Sequence, residues 1–149
     1  MSAAWDPSFE GSSPALVNFE AIWDTGATHS VVTQKVIDAC GLVATGIVQV
    51  HGVTGAAESE TLLVNIALPH GVVITGVRVT KGDFRGGDVL IGMDIITMGD
   101  FAVTNHNGTT VFSFRMPSQE HIDFVPKTNQ AQQTPPNRAA RRRAKRDTK

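Results

Sequence analysis

The sequence has no tyrosine, a single cysteine and only 18% charged residues. One cysteine, Cys40, excludes an internal disulfide framework and fits a reducing compartment, so we expect a cytoplasmic protein. The longest strongly apolar stretch, residues 89–96, is too short to cross a bilayer. The N-terminal residues have neither the basic nor the apolar segment of a secretory signal. A length of 149 residues with 41% hydrophobic side chains predicts one globular domain with a real core.

The formal net charge of −1 hides a strong asymmetry. Residues 127–149 carry eight basic side chains and one acidic side chain, a net charge of +7. Residues 1–126 carry five basic and thirteen acidic side chains, a net charge of −8. The chain is therefore an acidic body with a basic tail. The tail has no aromatic residue to stack on bases, so a disordered extension is favoured over binding to nucleic acid or another anionic surface.

The order of apolar residues predicts a mostly β domain over residues 15–118. Residues 1–14 are expected to form a flexible leader, and residues 119–149 a disordered linker and the basic tail. Short runs rich in Val, Ile, Leu and Thr predict strands throughout the domain. Helical spacing predicts a helix from Ser30 to Cys40 that ends at Gly41, and a short second helix after Gly92. Asn-Gly at residues 107–108 predicts a hairpin near the end of the domain.

The first candidate for chemistry is the triplet Asp24-Thr25-Gly26, followed by Ala27. Alone, such a triplet is most simply an Asx-type turn that closes a strand. Three neighbouring features change that interpretation. The first feature is an apolar strand, FEAIW, that leads into Asp24. The second is a segment with the pattern of a hairpin, VQVHGVTGAAESETLLV. The third is a segment that leads from a buried strand into a short helix, VLIGMDIITMGDFAVTN.

In this order and spacing, the three features resemble the retropepsin-like aspartic protease family, including its bacterial and phage-type members. The resemblance covers about residues 17–114 and implies an all-β fold, a closed barrel with one or two short helices, acting as a homodimer without a cofactor. It implies an aspartic endopeptidase that hydrolyses polypeptides. The resemblance implies that Asp24 is the catalytic residue and that the active-site loop consists of Thr25, Gly26 and Ala27, with Thr25 bracing the two loops of a dimer. It implies that the flap and substrate-binding residues are Gly52, Val53, Thr54 and Gly55. It also implies three supporting residues, Leu90, Ile91 and Gly92.

One Asp-Thr-Gly triplet per chain predicts a dimeric site. Peptide hydrolysis by carboxyl groups needs both a base that activates water and an acid that protonates the leaving group. Two carboxyls about 3 Å apart share one proton and supply both functions. Because the chain contains no second such triplet, we expect the partner carboxylate to come from a second chain across a twofold axis. The C-terminal hairpin is expected either to form a dimer sheet or to complete the core of the monomer.

Other candidate residues are better explained structurally. The five histidines form no cluster with metal-ligand spacing, so no metal site is expected. Cys40 is interpreted as a buried thiol, and Asp94 as a cap of the second helix. The alternative function is a catalytically silent dimeric β-module whose basic tail binds nucleic acid or another anionic partner.

Overall fold

The computed structural model describes residues 1–4, 14–52 and 55–123. Contacts divide the chain into two units, Met1–Gln119 and Glu120–Lys149, and of the second unit only residues 120–123 are described. The described part of the first unit is built mostly from β-strands. Its elements are β1 (Ser2–Ala3), β2 (Ala21–Trp23), β3 (Val31–Val32), α1 (Gln34–Cys40), β4 (Gly46–Gly52), β5 (Gly55–Ala67), a 3₁₀ turn (Pro69–Gly71), β6 (Val73–Lys81), β7 (Val89–Ile91), α2 (Met93–Ile96), β8 (Asp100–His106) and β9 (Thr109–Arg115).

Seven strands form one open sheet in the order β1-β5-β6-β3-β7-β2, with β4 paired to β5. Strands β8 and β9 form a separate two-stranded sheet. The prediction of a mostly β fold with two short helices is therefore confirmed. The prediction of a closed barrel is wrong for the residues that the structure describes, because no described strand joins β2 at one edge of the sheet to β1 at the other.

The central feature of the sheet is the placement of β7 between β2 and β3. β2 runs parallel to β7, with Trp23 opposite Ile91. β3 runs antiparallel to β7 on its other side, with Val31 opposite Leu90. The chain therefore leaves the sheet after β2, passes the end of β7 and re-enters the sheet as β3. This crossing places residues 24–30 over the junction of β7 and α2.

Helix α1 is shorter than predicted. The residues expected to form its first turn include Val31 and Val32, which instead form β3 and pair with both β6 and β7. β-branched residues are well suited to a central strand, and this long-range pairing overrides the helical spacing. Thr33 is extended, so the helix begins at Gln34. Gly41, with φ of 58°, ends it in the left-handed conformation, as predicted.

The core lies between the large sheet and the two helices. Its fully buried side chains come from β7, from the strands β3, β5 and β6 on one side of it, and from both helices: Val32, Val36, Leu62, Val64, Val79, Ile91 and Ile95. The chain start also packs here, because Met1 is buried and β1 pairs with β5. The expectation of a flexible leader is therefore wrong for the first four residues, while residues 5–13 lie outside the described part. No helix among the described residues is long and apolar enough to cross a membrane.

The strands β4 and β5 form an arm that extends beyond the sheet. Their pairing runs from Gly46 opposite Thr61 to Gly52 opposite Gly55. β6 joins β5 only from Thr61 onward, so the outer part of the arm has two strands within the described chain. β4 is exposed along most of its length. At its base, the Lys81 ammonium lies 3.6 Å from the Glu60 carboxylate.

The C-terminal hairpin matches its sequence signal. Asn107 and Gly108 have φ of 51° and 77°, which is the backbone that the Asn-Gly turn of a two-residue hairpin adopts. Near the open end, Phe101 and Phe114 pack against the core. The part nearer the turn exposes apolar side chains at Val103, Val111 and Phe112.

Candidate active site

Asp24 lies directly after β2, where the chain leaves the sheet. Its backbone N–H donates to the carbonyl of Ile91, 2.9 Å away, and so continues the parallel pairing of β2 with β7 by one residue. Its carbonyl accepts the N–H of Ala27 at 3.3 Å, which closes a turn over Thr25 and Gly26. The predicted Asx-type turn and the predicted catalytic position therefore coincide in one structure.

The Asp24 carboxylate has a fixed orientation. Its Oδ1 accepts the backbone N–H of Gly26 at 2.8 Å. The side chain is half-buried, while Thr25 and Gly26 are exposed. One carboxylate oxygen is thus held by the loop backbone, and the carboxylate lies beside an exposed threonine. This arrangement leaves the loop surface open to a second protein chain or to a substrate.

Gly92 allows the loop to approach the end of β7. A Cβ atom at this position would lie 2.7 Å from the His29 carbonyl carbon and 2.9 Å from the Ala27 carbonyl oxygen. These are backbone atoms that cannot rotate away, so no side chain fits. The close approach of residues 27–29 to this position therefore requires glycine, while the role of Gly92 behind a catalytic loop stays a prediction.

The other two supporting residues form the strand under the loop. Ile91 is buried and pairs with Trp23, and Leu90 pairs with Ile22 on one side and Val31 on the other. Of the predicted flap residues, Gly52 and Gly55 pair with each other at the outer end of the arm. Val53 and Thr54 lie outside the described residues.

Sequence reasoning missed a second group at this site, formed by Ser30 and Asp94. The Ser30 N–H donates to Asp94 Oδ2 at 2.9 Å, and the Ser30 hydroxyl donates to Asp94 Oδ1 at 2.8 Å. Asp94 lies in the first turn of α2, where its Oδ1 accepts the N–H of Ile95 at 3.0 Å. The structural role expected for Asp94 at the helix start is therefore present, and the same carboxylate also bridges to the loop. The two residues are 64 positions apart, and no periodic pattern links them.

A second carboxylate, Asp88, holds the opposite end of β7. It forms an ion pair with Lys35 at 2.9 Å and accepts the N–H of Glu20 at 3.4 Å. The hydrogen bond from Lys35 holds the pKa of the Asp88 carboxyl below its usual value, with a smaller contribution from the Glu20 N–H. Neither contact reaches residues 24–30, so Asp88 anchors the strand and does not touch the loop.

The other titratable residues considered in the sequence analysis are not arranged as a nucleophile or as metal ligands within the described residues. Burial raises the pKa of the Cys40 thiol, which makes it a poor nucleophile. The structure gives that thiol a partner in the Met1 carbonyl, 3.7 Å away. In the described ranges, no group of three or more His, Cys, Asp or Glu side chains is arranged to hold a metal ion.

Neither the curated proteins nor the solved structures give a match. A comparison with protein families matches residues 16–98, which include Asp24, the β4–β5 arm, β7 and α2, and which end before the C-terminal hairpin. The match covers more than half of the chain and confirms the resemblance drawn from the three sequence features. The chain belongs to the gag-polyprotein putative aspartyl protease family, whose members are retropepsin-like.

Proposed function

We propose that the protein is an aspartic endopeptidase whose active site is completed by two identical chains. The observation that carries this proposal is the geometry of Asp24, a carboxylate held by the Gly26 N–H on a loop packed against Gly92. The family match supports the same chemical class.

The proposed reaction is general acid–base activation of water. One carboxylate of the pair removes a proton from water as the water attacks the peptide carbonyl, and the neutral carboxyl hydrogen-bonds the carbonyl oxygen. The proton is then delivered to the leaving nitrogen, and the pair returns to its shared-proton state. Since the two groups titrate together, each apparent constant belongs to the pair rather than to one aspartate.

A second copy of the chain supplies the second carboxylate in this proposal. Asp24 is the only Asp-Thr-Gly aspartate in the sequence. Thr25, exposed beside it, is the residue that would brace the two loops. A symmetric dimer brings the same patch of both copies together, so an exposed loop next to the twofold axis satisfies the geometry.

The C-terminal hairpin provides an apolar surface for that dimer. Phe114 near its open end and the partly exposed Phe112 nearer the turn both pack against Trp23, each with its ring centroid 4.9 Å from that of Trp23. The same hairpin exposes Val103 and Val111. Exposed apolar side chains grouped on one element are typical of a surface that binds another protein. The hairpin therefore contributes to the core at its base, and we infer that its outer part contacts the second copy.

The β4–β5 arm is the proposed flap. It is two-stranded and exposed, and it is anchored at its base by Lys81, which pairs with Val32 of β3. A cleft of about 450 Å³ is lined by the arm and by residues 81–83. Such an arm can close over an extended polypeptide, exclude water from the site and hold the peptide by main-chain hydrogen bonds.

The test compares the wild-type protein with Asp24→Asn on a library of peptides at mildly acidic to neutral pH. The substitution keeps the shape of the side chain and removes its ability to share a proton, so we expect cleavage to fall to background. Equal cleavage by both proteins would refute the proposal.

Mixing the two proteins tests the dimer separately. If both carboxylates are required, activity follows the square of the wild-type fraction. An equimolar mixture, allowed to exchange subunits, then falls to about one quarter of the activity of the same total amount of wild-type chain. A fall to about one half would show that a single chain holds a complete site.

A further inference from the structure

The fully buried Ser30 hydroxyl connects the catalytic loop to the start of α2. It donates to Asp94 Oδ1 at 2.8 Å and accepts the N–H of Gly92 at 3.1 Å. The same carboxylate oxygen accepts the N–H of Ile95 at 3.0 Å. The hydroxyl is thus satisfied as donor and acceptor, and the carboxylate is oriented by bonds from both segments. A satisfied network of this kind is rigid, because each bond fixes the orientation of the next group.

Backbone bonds tie the middle of the loop to the same helix turn. The N–H of Met93 donates to the Ala27 carbonyl at 2.8 Å, and that of Asp94 donates to the Thr28 carbonyl at 3.2 Å. These are N–H groups of the first helical turn, which have no partner within the helix. The loop supplies their acceptors and is held by them in return.

Residues 24–30 are therefore fixed at both ends. At the first end, the N–H of Asp24 is bound to the Ile91 carbonyl. At the second end, Ser30 is held through its N–H and its hydroxyl, both on Asp94. Gly92 packs against the backbone between these ends. The Ser30 carbonyl also accepts the N–H of Thr80 at 3.1 Å, so loss of the Asp94 carboxylate removes two of the bonds at this end and loosens the loop without detaching it.

We propose that Ser30 and Asp94 are positioning residues for Asp24, a role that rests on the proposed function. Neither touches the Asp24 carboxylate in the bonds described above; both act by fixing the loop that carries it. A carboxylate pair that shares one proton requires its oxygens at close and constant separation, so small displacements of each loop change the rate of the chemical step. They affect peptide affinity much less, because the bound peptide contacts a larger surface.

The first test compares Asp94→Ala with the conservative Asp94→Asn, and uses Asp88→Asn as the matched control. Asp88 is also a hydrogen-bonded carboxylate at an end of β7, but it binds Lys35 and does not contact the loop. For Asp94→Ala we expect kcat to fall by about 100-fold with KM changed by less than about threefold. Asp94→Asn retains one acceptor oxygen, so we expect its kcat to be at least about tenfold higher than that of Asp94→Ala.

The pH dependence separates positioning from a general structural role. In Asp94→Ala, altered spacing of the two carboxyls shifts the limbs of the pH profile of kcat/KM. In Asp88→Asn the pH profile and kcat at neutral pH stay at the wild-type values.

Should Asp94→Ala fail to fold, Ser30→Ala makes the same test with a smaller change, because it removes one hydroxyl and leaves the carboxylate. We expect about a tenfold fall in its kcat. Wild-type kcat and an unshifted profile in Ser30→Ala or in Asp94→Ala would overturn the proposal.

Amide hydrogen exchange gives a readout that does not depend on proteolysis. The N–H groups of Ser30, Gly92 and Met93 should exchange at least about tenfold faster in Asp94→Ala than in Asp88→Asn. If the wild-type protein cleaves no peptide, the proposed function fails. Hydrogen exchange then still tests whether Asp94 fixes the position of the loop. Equal exchange in the two variants would show that Asp94 does not hold the loop and would refute the positioning role.

Discussion

Gly92→Ala is the most direct test of how the loop of residues 24–30 is supported. The added Cβ would lie 2.7 Å from the His29 carbonyl carbon, 2.8 Å from its oxygen and 2.9 Å from the Ala27 oxygen. Carbon atoms in contact normally lie about 3.5–4.0 Å apart, so the loop backbone must move outward by roughly 0.8–1.3 Å. Overpacking of this kind costs about 1–3 kcal/mol of the free energy of unfolding. For a chain of this size, that lowers Tm by about 3–9 °C.

The same displacement should reduce activity more than stability. In the proposed dimer, moving the loop by about 1 Å would shift Asp24 relative to the second carboxylate, and a misplacement of that size costs on the order of 100-fold in kcat. Thermal unfolding followed by circular dichroism and peptide cleavage below Tm measure the two effects. Gly46→Ala is the control for stability, because its Cβ would meet only the Thr61 hydroxyl, at 3.2 Å. A Gly92→Ala protein as stable as this control and as active as the wild-type protein would refute the steric argument.

Two further substitutions test contacts around the site. Trp23→Ala removes three aromatic contacts of a half-buried ring, so the free energy of unfolding measured by chemical denaturation should fall by about 2–4 kcal/mol. A fall of less than about 1 kcal/mol would contradict the role of Trp23 in anchoring the hairpin. Lys35 lowers the pKa of the Asp88 carboxyl in the folded protein. The ionised carboxylate therefore stabilises the fold at pH values above its usual pKa of about 3.9. This stabilisation is lost as the pH falls through the lowered pKa of the folded protein. Urea midpoints between pH 5 and pH 2 should therefore fall more in the wild-type protein than in Asp88→Asn, and equal falls would contradict the assignment.

The features predicted correctly from the sequence are those encoded by neighbouring residues. Asn107-Gly108 supplies the backbone of a tight hairpin turn by itself, and Gly41 supplies a left-handed helix end. The turn at Asp24 is likewise closed by bonds within four residues. In each case the energetic preference is local, so the pattern of residues is sufficient to locate the element.

The features that were missed depend on residues far apart in the sequence. Val31 and Val32 have helical spacing with the residues that follow, yet their pairing with β6 and β7 makes them a strand. Ser30 carries no local sign of its bond to Asp94, which forms only when the loop crosses β7. The difference between a closed barrel and an open sheet also depends on which edges meet, and a strand pattern does not encode this.

The position of Trp23 explains how an element outside the family match can affect the site. The match ends at residue 98, before β8 and β9. Their aromatic side chains nevertheless surround Trp23, the residue that immediately precedes Asp24 and pairs with Ile91. β2 is the edge strand of the large sheet, and the rings of the hairpin pack on its Trp23 side chain. In the proposed dimer, contacts on the hairpin would therefore stabilise the strand that leads into Asp24, while Asp94 binds the far end of the same loop.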